Sequence, residues 1–126
     1  MPTPEATRAE VRVSLPWPDK VLSQNARVHW SKRARATKTA RQHTGWATIR
    51  AMGTSRKPGW QRAKVSLTFC PPDRRRRDLQ NCIGAAKALI DGVADAIGVD
   101  DSLFDCSYQF GQPVKGGAVI VSIRGE

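Results

Sequence analysis

Asp78, Asp100 and Asp101 draw attention because they set carboxylates against the densest positive charge in the chain: the run Asp73-Arg-Arg-Arg-Arg-Asp78 places Arg74, Arg75, Arg76 and Arg77 directly before an acid. Guanidinium forks match phosphate oxygens, whereas carboxylates repel them. A protein that only gripped phosphates would gain nothing from the acids. One that used them to hold a divalent cation would turn repulsion into attraction and acquire a Lewis acid for phosphodiester hydrolysis. As a helix N-cap alone, Asp78 would contribute about 1 kcal/mol, which accounts for Asp78 but not for Asp100 and Asp101. Those two follow the far end of the same helix, roughly 30 Å away at 1.5 Å per residue. One site then requires that residues 99–102 fold back, that the helix be shorter, or that two subunits contribute.

Other side chains belong to the same chemistry. Lys87, Asp91 and Asp95 recur at a spacing of four and share a helix face. They are either ion-paired neighbours or, for Lys87, a cation that stabilises charge developing on a phosphate. Lys32, Arg33, Arg35 and Lys38 crowd the start of another helix, preceded by His29 and Trp30, and Lys115 lies in a late turn. These are candidate phosphate or base contacts. Of the four tryptophans, Trp30, next to the basic cluster, is the one expected to stack on a base.

The charge distribution supports a polyanionic partner. The 126 residues carry a formal net charge of +10; residues 1–77 hold 18 Lys/Arg against 4 Asp/Glu, a net of +14, and residues 78–126 hold 3 against 7, a net of −4. Such a field speeds encounter with nucleic acid. The N-terminal segment has no apolar run of the signal-peptide kind and no stretch approaches the ~20 apolar residues of a membrane span, so a cytoplasmic protein with no membrane partner is expected. Cys70, Cys82 and Cys106 show no metal-ligand spacing and read as free thiols.

The elements that must position these residues follow from periodicity. Residues 1–10 read as a flexible arm, and residues 11–126 as one domain. Val11, Val13 and Leu15 alternate as a strand ended by Leu15-Pro-Trp-Pro18. Residues 31–52 form a helix with Trp30, Trp46, Ile49 and Met52 as its apolar anchors. Val65, Leu67 and Phe69 make a second strand, ended by Pro71-Pro72. Ile83, Ala86, Leu89, Val93 and Ile97 recur at three and four, which predicts one amphipathic helix over 79–97. Residues 106–110 and 119–123 alternate on either side of a Gly-rich turn, a C-terminal hairpin. The fold class is α+β (mixed α/β): one mixed sheet of about four strands with two main helices, in the order β-α-β-α-β-β. Two helices cannot cover both faces of such a sheet, which leaves a face or an edge for a partner subunit.

The blocks Pro72-Asp-Arg-Arg-Arg-Arg-Asp78-Leu-Gln-Asn81 and Val99-Asp-Asp-Ser102 resemble the RusA family of Holliday junction resolvases, common in phages and prophages. The resemblance extends from residue 11 onward through Leu15-Pro-Trp-Pro, Asn25 and Trp30, and the Lys115-Gly-Gly turn. It implies a homodimeric, Mg2+- or Mn2+-dependent endonuclease of recombination and repair that nicks four-way DNA junctions in pairs, in a bacterial host cell. It implies a site of Asp78 and Asp101 with Asp100 as neighbour. Gln80 stands where the family has its second aspartate. The family lysine falls on Gly84 by direct count, or on Lys87, with Asp91 four residues later, if one helical turn is inserted.

Overall fold

A computed structural model of the chain describes residues 10–23 and 27–126; most of the N-terminal arm and Asn25 lie outside the described residues. Period-two alternation builds four strands, β1 (Glu10–Pro16), β2 (Ala63–Cys70), β3 (Phe104–Phe110) and β4 (Ala118–Gly125). Glu10, expected in the arm, is the first residue of β1. The strands form one mixed sheet in the order β1-β4-β2-β3, with β4 antiparallel to both neighbours and β3 parallel to β2.

Val13, Leu15, Val65, Leu67, Phe69, Val119, Val121 and Ile123 point to one face and are almost fully buried. Three helices supply the rest of that core: α1 (Trp30–Met52), α2 (Leu79–Ala85) and α3 (Lys87–Ile97). The other face carries Arg12, Ser14, Lys64, Ser107, Ser122 and Arg124, all exposed. The α+β class and the four-stranded mixed sheet are therefore as the periodicity implies.

The C-terminal hairpin is not formed. β4 inserts between β1 and β2, and β3 lies at the edge against β2. Apolar content explains the exchange. β4 buries Val119, Val121 and Ile123 and needs neighbours on both sides, whereas β3 leaves Asp105, Ser107, Gln109 and Phe110 exposed, as an edge strand can.

The helix expected over 79–97 is also broken. Ala86, fully buried, has φ −86° and ψ −2°, and its N–H reaches the Ile83 carbonyl as well as that of Cys82. The chain tightens there at Gly84-Ala85-Ala86, where no bulky side chain holds a regular helix straight.

Helices α1 and α3 cross closely. Thr44, Gly45 and Thr48 are the buried residues of α1, and a Cβ added to Gly92 would sit 2.4 Å from the Arg41 carbonyl oxygen and 2.7 Å from Thr44 Cβ. Trp46 turns outward to 77% exposure and Trp30 to 75%, which corrects the expected role of both as anchors: small residues, not the tryptophans, face the partner helix. Arg41 fastens the crossing with two bonds to Asp95, at 2.6 and 2.7 Å. Lys57 closes the end of α3 by donating to the carbonyls of Asp95 and Ala96.

Candidate nucleic-acid and phosphodiester site

The turn after α3 returns along the helix. Gly98 adopts φ 72°, buried Val99 follows, and the 3-10 turn Asp101–Leu103 leads into β3. Asp101 is thereby brought back to Lys87, fourteen residues earlier: Lys87 Nζ donates to Asp101 Oδ2 at 2.5 Å and to Asp91 Oδ1 at 3.1 Å. The fold-back of residues 98–103 and the break of the helix at Ala86 join Asp101 to the first turn of α3 within one chain, and not to Asp78. The same contacts set the protonation states. The Lys87 ammonium, with Asp100 contributing, holds the Asp101 carboxyl below its ordinary range, and Asp101 and then Asp91 hold the Lys87 ammonium above its own.

This group stands beside β3. The charges of Asp101 and Lys87 reach Cys106, whose thiol is pushed up chiefly by burial, and Lys87 reaches Tyr108, pushed up to about 12 by burial and by Cys106. Asp100 turns to its own loop and accepts from Ser102 Oγ at 2.9 Å.

Asp78 does cap α2, accepting from the Gln80 N–H at 2.9 Å through Oδ1. Gln80 is exposed in that first turn and Asn81 is half-buried beside it. Among the described residues no three His, Cys, Asp or Glu side chains gather as a ligand set, so the cluster of Asp78, Asp100 and Asp101 is not assembled as three converging carboxylates. What converges is the pair Asp91 and Asp101 around the Lys87 ammonium. A divalent ion of the Mg2+ kind is commonly bound by one or two carboxylates together with substrate phosphate and water. The paired oxygens of Asp91 and Asp101 are taken up by the Lys87 ammonium, and one oxygen of Asp78 by its cap.

The basic elements meet at one end of the sheet. The register sets Pro16 and Cys70 opposite Ala118, and Phe69 opposite both Phe110 and Val119. The segments leaving β1, β2 and β3 therefore lie together, and Val114 N–H binds the Pro71 carbonyl at 2.9 Å, tying the Lys115 loop to the arginine loop.

The four arginines divide. Arg74, Arg75 and Arg76 are exposed. The Arg77 side chain is only 13% exposed: it binds Asp73 Oδ1 at 2.8 Å and the Arg75 carbonyl at 3.1 Å, and its guanidinium lies 5.5 Å from the centre of the Trp17 ring. Arg77 is a staple of the loop, which sets it apart from its three exposed neighbours.

On α1, Lys32, Arg35 and Lys38 are exposed, and Arg33 is half-buried, donating to the Ser23 carbonyl at 3.1 Å. His29 is the N-cap of α1 and uses Nδ1 to accept from Ser31 N–H. Trp30 beside it is 75% exposed. Asp91 was legible from its spacing of four from Lys87, whereas Trp17 had only its place after β1 as a signal.

No described helix is long and apolar enough to cross a membrane. No family model matches the chain. It is 38% identical over 122 residues to an "uncharacterized protein" of Xylella fastidiosa (strain Temecula1 / ATCC 700964), an alignment that covers 90% of this chain and 75% of that one. At that identity and coverage the chain belongs to the same family as this Xylella protein.

Proposed function

We propose that this protein is a divalent-metal-dependent endonuclease acting on branched DNA, four-way junctions above all, as a homodimer. The observation that carries the reading is the return of Asp101 to Lys87 and Asp91, an arrangement of two acids and a lysine that suits phosphodiester cleavage, on a molecule whose exposed arginines suit phosphate binding. Asp101, with Asp91, would hold a Mg2+ or Mn2+ ion whose shell substrate phosphate and water complete, and Asp78, Gln80 and Asp100 are the further candidate ligands. Such an ion supplies Lewis-acid polarisation of the phosphate and a water of lowered pKa.

The chain's own residues do the remainder. Arg74, Arg75, Arg76 and Lys115 fix the backbone of the substrate by charge-assisted bonds. Lys87, whose ammonium stands against Asp101 and Asp91, would neutralise charge building on the phosphate.

A nicking assay on a synthetic four-way junction with Mg2+ or Mn2+ tests the proposal. The wild type should cut, and Asp101→Asn should lose at least about 100-fold of the rate, the usual scale for removing one such group, with junction affinity kept. Loss of binding together with cutting, in a folded variant, would remove Asp101 from this role. A second reading, a branched-DNA-binding protein without cleavage, is favoured by Gln80 and by the lack of three converging acids among the described residues. A wild type that binds junctions and never nicks them selects it.

A further inference from the structure

Beside Asp78 lies a cleft of about 340 Å3 lined by Trp17, Phe69, Arg76, Arg77, Asp78 and Asn81 among others, within the range of small-ligand pockets, about 300–1,000 Å3. We infer that this cleft receives one unstacked nucleobase of the bound DNA, next to the phosphate to be cut. The inference rests on the DNA-binding reading above and adds to it a site for a base.

The lining supports a base over a bare phosphate. Trp17 is held on three sides: edge-on to Phe69 at 6.4 Å between ring centres, under the Arg77 guanidinium at 5.5 Å, and against Gly117, where an added Cβ would lie 2.8 Å from Trp17 Cβ. Yet the ring is only half-buried and borders open space. Phe69 is fully buried and backs the Trp17 ring, so the aromatic surface the cleft offers is that of Trp17, which a cleft meant only for phosphate would not use.

Arg77 cannot swing out to a phosphate without leaving Asp73 and the Arg75 carbonyl, so it serves as a fixed cationic wall. Exposed Arg75 and Arg76 stand in the same lining for the adjoining backbone, and Asn81 offers both a donor and an acceptor to a base edge. Aromatic and guanidinium surfaces of this kind hold a base taken out of its stack.

The test is a coupling measurement. Four-way junctions carrying a single abasic site at each position flanking the branch point are titrated by fluorescence anisotropy in EDTA, against wild type, Trp17→Ala, Trp17→Phe and Asn81→Leu. For wild type, one position should weaken binding about tenfold when made abasic, the worth of one base–aromatic stack. Trp17→Ala should weaken the intact junction by a similar factor and lose its sensitivity to that abasic site, while Trp17→Phe keeps most of both. Asn81→Leu, which takes the amide donor and acceptor from the α2 side of the cleft at nearly unchanged shape and leaves Trp17 in place, should reduce the sensitivity, whether or not Trp17→Ala folds. No abasic position mattering to wild type, or equal abasic losses in wild type and Asn81→Leu, overturns the base site and leaves DNA binding standing. A folded wild type that binds no DNA overturns both.

Discussion

Lys87 is the residue on which most of the proposed chemistry turns, since its ammonium joins acids from two segments. Replacing it with methionine keeps the length of the stem and removes the charge. The Asp101 carboxyl should then titrate closer to its ordinary range, read by NMR as a move to higher pH of the midpoint of its carboxyl carbon titration, and nicking should fall by about 100- to 1,000-fold. The sign for stability follows from the depressed carboxyl. The contribution of the Lys87–Asp101 contact is fully present above the unfolded value, near 3.8, and is lost as pH falls through the lower folded value. Asp101→Asn should accordingly flatten the acid limb of thermal stability against pH, measured by calorimetry between pH 5 and pH 2 (about the window that linkage sets), with no change near neutrality in its slope. Gln80→Asp, which restores a charge to the first turn of α2, should tighten Mn2+ binding measured by calorimetry.

Elements, rather than single side chains, decide how those residues are presented. The α1–α3 crossing brings backbone against backbone at Gly92, where a Cβ has 2.4 Å to the Arg41 carbonyl. Gly92→Ala should lower stability by about 1–3 kcal/mol, as overpacking does, in spite of the better helix propensity of alanine; chemical denaturation measures it. The arginine loop divides by the same reasoning. Arg76→Ala should weaken junction binding across sequences and lower the slope of log affinity against log salt by about one, since one phosphate contact is lost. Arg77→Ala should act on the loop itself, raising its susceptibility to protease at residues 73–77, because Asp73 and the Arg75 carbonyl lose their shared donor.

At the scale of the whole molecule, charge and shape divide the labour. The sheet end gathers the Trp17 and arginine segments of the basic part of the chain with the Lys115 loop of the acidic part, and the Lys87–Asp101 group sits along α3 beside β3. The opposite sheet face, with Arg12, Ser14, Lys64, Ser107, Ser122 and Arg124 exposed, and the free edge of β3 remain open to a second copy. Paired nicks on a symmetric junction require two sites related by a two-fold axis. Sedimentation of the protein alone and of its junction complex should therefore give two copies, and one copy per junction would count against the resolvase reading.

The periodic segments were legible from sequence because alternation and helical spacing report burial directly: strands β1, β2 and β4 and the buried face of α3 follow from Val11 to Leu15, Val65 to Phe69, Val119 to Ile123 and Ile83 to Ile97, whereas α1 followed from a breaker-free run of good helix formers and its buried face did not. The charge division and the arginine–aspartate block were equally plain. Strand order was not, since β3 and β4 each alternate and only competition for the centre of the sheet puts the more apolar β4 there. Nor was the outward turn of Trp46, which follows from how closely Gly45 and Gly92 let two helices approach. The roles of neighbouring arginines also needed the fold, because Arg74, Arg75, Arg76 and Arg77 are alike as letters and differ only in what Asp73 and Trp17 place beside them. The sequence by itself determined which residues carry charge and which faces are apolar; the tertiary structure decided which of them meet, because the return of Asp101 to Lys87 depends on a left-handed glycine, a buried valine and the path into an edge strand.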